Sequence, residues 1–346
     1  MKHIDLLKQS AAKQGKPTNL AIFNPTNLTY FTNFSAATAL YIPENGDCTL
    51  YVSTVNYEQA KAEVKGIAVE PLKRGESLMD KIGRQAPKKL GVDSVPIESW
   101  RALARAVGGE EKLESVNGLV RELRSVKNQE EIQLIREACK LADVGMKAAS
   151  ETVHSGVKEK DLAAEAEYAM RKAGSDGVAF DTIVASGASS AFPHGSNLEK
   201  TIREGDFVVV DLGATHRFYR SDITRTYIAG KPSEKQKKIY EVVKLAQQKA
   251  IESIKPKIPA KEVDAVARRV IEEAGFGEFF VHNLGHGVGL EVHEAPILSP
   301  DSKDILEIGN VVTVEPGIYL PGFGGVRIED TVLVTKDDAE KLTVAP

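Results

Sequence analysis

The rhythm of apolar and polar positions along the chain changes near Ser125. Before that point, short apolar runs (NLAIFN at 19–24, CTLYVS at 48–53, GIAVEPL at 66–72 and KLGVDS at 89–94) are separated by polar stretches such as TVNYEQAKAEV at 54–64. Runs of that length with polar helical intervals predict strands alternating with helices, a small α/β domain over residues 1–124. The segment NGLVRELRSVKNQEEI reads as a charged connector. From 125 to 346, long amphipathic helical stretches lead into strand-like runs, which predicts an α+β domain.

The second domain is similar to itself. REGDFVVVDLG (203–213) aligns with LEIGNVVTVEPG (306–317), placing Gly205 on Gly309, Asp206 on Asn310, Val210 on Val314 and Asp211 on Glu315. At the same offset KLAD (140–143) falls on KLAQ (244–247), and VKEKDL lies close to register with IPAKEV. An internal duplication accounts for these matches. The expected architecture is two helix–helix–strand-hairpin units about a pseudo-twofold, with helices covering one side of a shared antiparallel sheet.

Each unit drives an apolar strand into a carboxylate and returns with another. In DLGATHRFYRSD a turn at His216-Arg217 puts Asp211 directly across from Asp222, with Cβ atoms roughly 4.5–5.5 Å apart. In EPGIYLPGFGGVRIE, Glu315 and Glu329 are equidistant from Gly322. Four carboxylates at strand ends repel one another and raise their own pKa values unless positive charge lies between them, and a pair of metal ions supplies it. A nitrogen ligand is then expected nearby. HNLGHGVGLEVHEAP (282–296) offers His282, His286 and His293 among glycines, with His286 the best ligand candidate. Taken alone, such a stretch is more often a plain loop, and two aspartates in a hairpin are often turn caps; it is their recurrence in both halves that carries the metal assignment.

Composition narrows the partners. The chain has 346 residues, 42% hydrophobic and 27% charged, an ordinary globular balance, and its formal charge of -4 marks neither a nucleic-acid nor an anionic-membrane surface. The two cysteines, Cys48 and Cys139, lie far apart without a CxxC partner, which fits a reducing compartment. The N-terminus lacks an apolar leader and no uninterrupted apolar stretch approaches about 18 residues, so the cytoplasm is the expected location.

DLGATHRFYRSDITRT, HNLGHGVGLEVHE, VEPGIYL and GVRIEDTVLV resemble the signature segments of the pita-bread metallopeptidases, the family of methionine aminopeptidase, aminopeptidase P and prolidase. The resemblance covers about residues 125–346 strongly. The preceding α/β domain is similar to the one found in prolidase, aminopeptidase P and creatinase, which points to the proline-specific branch. The resemblance implies that Asp211, Asp222, His286, Glu315 and Glu329 are the ligands of two divalent ions. Such ions, about 3.5–4 Å apart, share a water and lower its pKa so that a bridging hydroxide attacks the amide carbonyl.

Glu315 is the candidate for moving the proton to the leaving nitrogen. By the same resemblance His293 meets the scissile carbonyl and His194, in FPHG, lies on the substrate side. Arg327 is expected to brace the carboxylates, while Tyr319 and His282 could line the pocket. One imidazole among four carboxylates favours manganese or cobalt, with iron or zinc also suitable. The implied activity is hydrolysis of Xaa-Pro dipeptides, and the implied assembly is a homodimer. The alternatives are an Xaa-Pro aminopeptidase acting on longer peptides, and a non-catalytic binding protein on the same fold. A strict dipeptidase needs a cation for the proline carboxylate, and prolidase-like sequences often carry a basic residue shortly after the HE motif, where this chain has Ile297.

Overall fold

The computed structural model describes residues 2–86, 88–195 and 199–346. It divides into two compact units, Met1–Arg124 and Ser125–Pro346. The first unit runs α1 (Lys2–Lys13), β1 (Leu20–Ile22), α2 (Pro25–Thr32), β2 (Ala37–Ile42), β3 (Thr49–Ser53), α3 (Tyr57–Glu63), β4 (Ala68–Leu72), α4 (Leu78–Gln85), β5 (Leu90–Val92), α5 (Ile97–Val107), β6 (Leu113–Ser115) and α6 (Asn117–Ser125). Its six strands form one mixed sheet in the order β4-β3-β2-β1-β5-β6. The four apolar runs named above all become strands, and ATALYI adds the sheet's third, β2. The charged connector is mostly helix: α6 buries Leu119 and Val120 on one face, and its charges lie on the other.

The second unit comprises α7 (Gln129–Thr152), α8 (Glu159–Lys172), β7 (Gly177–Val178), β8 (Ile183–Ser186), β9 (Phe207–Leu212), β10 (Ala214–His216), β11 (Tyr219–Arg220) and β12 (Ile223–Ile228). It continues through α9 (Glu234–Ser253), α10 (Ala260–Glu273), β13 (Gly285–Gly287), β14 (Glu294–Leu298), β15 (Val311–Val314), β16 (Gly317–Leu320), β17 (Gly324–Arg327), β18 (Asp330–Val334) and β19 (Ala339–Lys341). The duplication is visible throughout. Each half begins with a long helix set by a capping box, Asn128 with Glu131 in one and Ser233 with Gln236 in the other. Each half has its own apolar core: Val208, Val210 and Ile223 lie beneath α7 and α8, and Val312, Val314 and Val332 beneath α9 and α10.

The central strands form two ladders, β12-β9-β8 and β14-β13-β15-β18-β19, beside the smaller sheets β11-β10-β7 and β16-β17. The two ladders meet where the Glu329 amide donates to the Thr224 carbonyl at 3.0 Å. Among the described residues, no helix is long and apolar enough to cross a membrane.

One register differs from the sequence expectation. The hairpin turns at Arg217-Phe218, both at positive φ (46° and 75°), so Thr215 pairs with Arg220 and Asp211 with Thr224. Two left-handed residues make the tight turn that matches strand twist, and this moves the turn one residue along from His216-Arg217. The pairing slips by two, so Asp222 keeps its face and becomes a diagonal neighbour of Asp211 instead of its direct partner. In the other hairpin Gly317 pairs with Arg327 and Val314 with Asp330, which leaves Glu315 facing Glu329 in the gap between the β15–β18 and β16–β17 pairings.

Candidate active site

The residues picked from sequence come together where the two halves meet. Asp211 lies on β9, Asp222 just before β12, His286 on β13, Glu315 just after β15, and Glu329 between β17 and β18. All five line one cavity of about 580 Å³, together with His194, His282, His293 and Arg327. His286 can enter this crowded place because its strand neighbours are glycines. A Cβ on Gly285 would lie 2.1 Å from the Thr313 carbonyl oxygen, and one on Gly287 would lie 2.1 Å from that of Ala295.

Ligand atoms of Asp222, His286 and Glu329 lie within 4.8 Å of one another. Bonds of about 2.0–2.2 Å put donors on one ion within about twice that distance, so the three need move little to share a cation. His286 Nε2 is 3.3 Å from Glu315 Oε1 and 3.7 Å from Asp222 Oδ2. Asp211 Oδ1 and Asp222 Oδ1 are buried without a hydrogen-bond partner. Orphaned carboxylate oxygens among four carboxylates and one imidazole fit a pair of divalent cations well.

The electrostatics of the protein atoms alone say the same. Burial, then Glu329, Asp211 and Glu315, push the Asp222 carboxyl well above its usual range. Burial, with Glu315 and Asp211, does the same to Glu329. Asp211 is raised by burial against the opposing pull of Arg327. Glu315 goes the other way, down to about 2: burial raises it, but His286, hydrogen-bonded to it, prevails, with the Arg327 charge adding to that pull. His286 is raised despite its burial, because Glu315 stabilises its protonated form.

Arg327 organises one wall. Its guanidinium donates to Asp211 Oδ2 (2.7 Å), to the Tyr319 hydroxyl (2.9 Å), to Thr224 Oγ1 (3.1 Å) and to the Pro193 carbonyl (3.3 Å). Tyr319 Oη is also 2.9 Å from His282 Nε2, and His282 Nδ1 is 2.7 Å from the Asn283 carbonyl. A carbonyl can only accept, so Nδ1 carries a proton, and Nε2 shares a hydrogen bond with the Tyr319 hydroxyl. Burial lowers the His282 pKa, which favours the neutral ring with Nε2 as acceptor. Tyr319, whose hydroxyl burial pushes up to about 12, is a buried link in this chain as well as a packing residue.

His293 lies against His286 with ring centroids 4.2 Å apart and the rings tilted by 53°, and burial and His286 lower its pKa. His194 is exposed at the rim. Sequence reasoning missed two threonines. Thr224 Oγ1 donates to Glu329 Oε2 at 2.6 Å, and Thr313 Oγ1 lies 3.3 Å from Glu315 Oε1. Each is two residues along a strand from a carboxylate, so period-two alternation could have found both. The apolar wall is Phe180, Ile183, Val292 and Ile297. No lysine lines the cavity among the described residues, and its arginine is committed to Asp211.

Residues 133–336 match metallopeptidase family M24, and residues 6–126 match the creatinase/prolidase N-terminal domain. The Xaa-Pro dipeptidase of Pyrococcus furiosus is 43% identical over 323 residues, 93% of this chain and 92% of the relative. That of Pyrococcus horikoshii is 46% identical over 322 residues, 92% and 90% of the two chains. The crystal structure of the prolidase from Pyrococcus horikoshii superposes with a TM-score of 0.93 at 42% identity, covering 100% of this chain and 99% of that one. An X-Pro aminopeptidase structure from Thermotoga maritima reaches 0.86 at 36% identity, covering 95% and 96%.

Proposed function

The chain belongs to metallopeptidase family M24, and we propose that it is a dinuclear metal-dependent Xaa-Pro dipeptidase. The observation that carries this reading is the convergence of Asp211, Asp222, His286, Glu315 and Glu329 on one cavity, with two of their oxygens orphaned. These five residues would hold two divalent ions, manganese or cobalt by the hardness of the donor set. When bound, such ions polarise the scissile carbonyl and lower the pKa of the attacking water.

The chain's own residues do the rest. Glu315 takes a proton from the water as it adds to the carbonyl carbon, and delivers it to the prolyl nitrogen as the C–N bond breaks. The products are the free amino acid and proline. His293, neutral but still carrying one N–H, donates to the oxygen on which charge develops. His194 orients the substrate at the rim. Arg327 holds Asp211 in place, and Val292, Ile297 and Phe180 offer apolar surface to the pyrrolidine ring. A homodimer, supported by the family resemblance, and the cytoplasm, supported by two free cysteines, complete the proposal.

A second reading, Xaa-Pro aminopeptidase, is favoured by Ile297 and by the lack of an uncommitted lysine or arginine among the described lining residues. One comparison tests both. The manganese-loaded chain is given Leu-Pro, Leu-Pro-amide and Leu-Pro-Gly, and kcat/KM is measured for each. A dipeptidase prefers Leu-Pro by at least about tenfold, the value of one charge-assisted contact of about 1.4 kcal/mol or more. Equal or better cleavage of the other two assigns the aminopeptidase, and no cleavage of any of them refutes both.

A further inference from the structure

Lys127 and Glu294 form an ion pair that the chemistry above does not use. Nζ and Oε1 are 2.7 Å apart, and the side chains are only 1% and 7% exposed. Removing two charges from water costs about as much as their attraction returns, so such a pair is weak evidence of stability and better evidence of a fixed geometry.

What the pair connects gives that geometry a purpose. The Lys127 amide donates to the Gly309 carbonyl at 2.9 Å, beside the Val126–Asn310 bridge, and the chain from Asn310 leads through β15 to Glu315. Glu294 follows His293 and pairs with Gly287, the neighbour of His286. Its carboxylate fills the space that a side chain at position 289 would need: a Cβ on Gly289 would lie 2.2 Å from Oε1. The Gly289 carbonyl in turn accepts the Arg220 amide at 2.8 Å, two residues before Asp222. The two residues of this buried ion pair thus sit, through their own backbone pairings and the packing on Gly289, at the start of segments that lead to three of the five proposed ligands, Glu315, His286 and Asp222.

We propose that Lys127 and Glu294 are positioning residues of the reactive centre, setting the β13–β14 hairpin so that His286 faces the carboxylates and His293 faces the attacked carbonyl. This rests on the hydrolytic reading above. The test uses the full chain loaded with Co(II). Methionine is unbranched like both side chains, so the double variant Lys127→Met, Glu294→Met removes both charges of the pair together. A displaced hairpin lowers kcat for Leu-Pro by about 100-fold, the usual consequence of a misplacement near 1 Å, while KM moves less than about threefold. It also alters the Co(II) d–d absorption.

A pair that only holds the fold together would lower the thermal midpoint and leave kcat and the Co(II) spectrum of the folded protein unchanged, which overturns the proposal. If the wild-type chain cleaves no Xaa-Pro bond, the hydrolytic reading fails, and the spectrum alone decides: an altered band in the variant supports positioning and an unaltered one refutes it. Should the double variant not fold, Lys127→Arg, which keeps the charge but moves the carboxylate, is judged by the same two readouts.

Discussion

Replacing Arg327 with methionine removes the one guanidinium that ties Asp211, Tyr319, Thr224 and Pro193 together. The side chain is 4% exposed and Asp211 is 13% exposed, so little water is at hand to take over. Breaking a buried pair by deleting one partner costs about 3–5 kcal/mol. At about 2–4 °C per kcal/mol for a domain of this size, the metal-free variant should melt roughly 6–20 °C below metal-free wild type. The loss has a pH dependence of known sign. Asp211 is already raised by burial, and without Arg327 its folded pKa rises further. Protonation at low pH relieves the stranded charge, so the deficit should be small near about pH 4 and grow as pH increases.

Manganese should shrink the deficit, since bound cations neutralise Asp211 in place of the arginine. Activity should not recover with the metal, because the Tyr319–His282 link loses its anchor; kcat/KM should stay about 100-fold down. Scanning calorimetry with and without chelator, at several pH values, reads the first effect, and steady-state hydrolysis of Leu-Pro reads the second. A metal-free variant melting within about 2 °C of wild type at neutral pH would refute the role given to Arg327.

Glu315→Gln, which keeps the shape but removes the proposed base and ligand charge, should lower kcat on the order of 100-fold at saturating metal, and a near-normal rate would move proton transfer elsewhere. Chelation should abolish hydrolysis, and manganese or cobalt should restore it; full activity in metal-free protein would sink the dinuclear reading. Asp222 and Glu329 have raised folded pKa values, so metal-free protein should lose stability as pH rises from the ordinary carboxylate range through those values, and the stabilisation by manganese should widen over the same span. Tyr319→Phe keeps the ring but removes one of Arg327's four partners and leaves His282 Nε2 without its own, and should cost about 1–3 kcal/mol of stability in calorimetry.

Much of this site was legible because its logic is local. Strand alternation fixes which face a carboxylate takes, and that survives even a wrong turn: placing the turn at His216-Arg217 shifted the Asp211 pairing by two residues, yet left Asp211 and Asp222 on one side. The duplication supplied the second pair independently, since Glu315 and Glu329 follow from their own hairpin. Four of the six strands of the first unit were readable as short apolar runs, but β2 and β6 were not, and neither was α6, because a short helix with one apolar face and many charges looks like a linker until something packs on Leu119 and Val120.

The illegible part is what reaches across the sequence. Arg327 to Asp211, Tyr319 to His282 and Lys127 to Glu294 each join residues whose separation carries no periodic signal. These contacts decide which oxygens are left for a cation. Asp330 shows the contrast within one strand turn of the site. It directly follows Glu329 but points the other way, where Arg225, Gln247, Lys341 and Thr343 all reach it. A carboxylate so fully satisfied has nothing to offer a metal, whereas Asp211 and Asp222 keep an orphaned oxygen each. What separates a proposed ligand from its structural neighbour is therefore the partners each one lacks, and only the folded chain can count those.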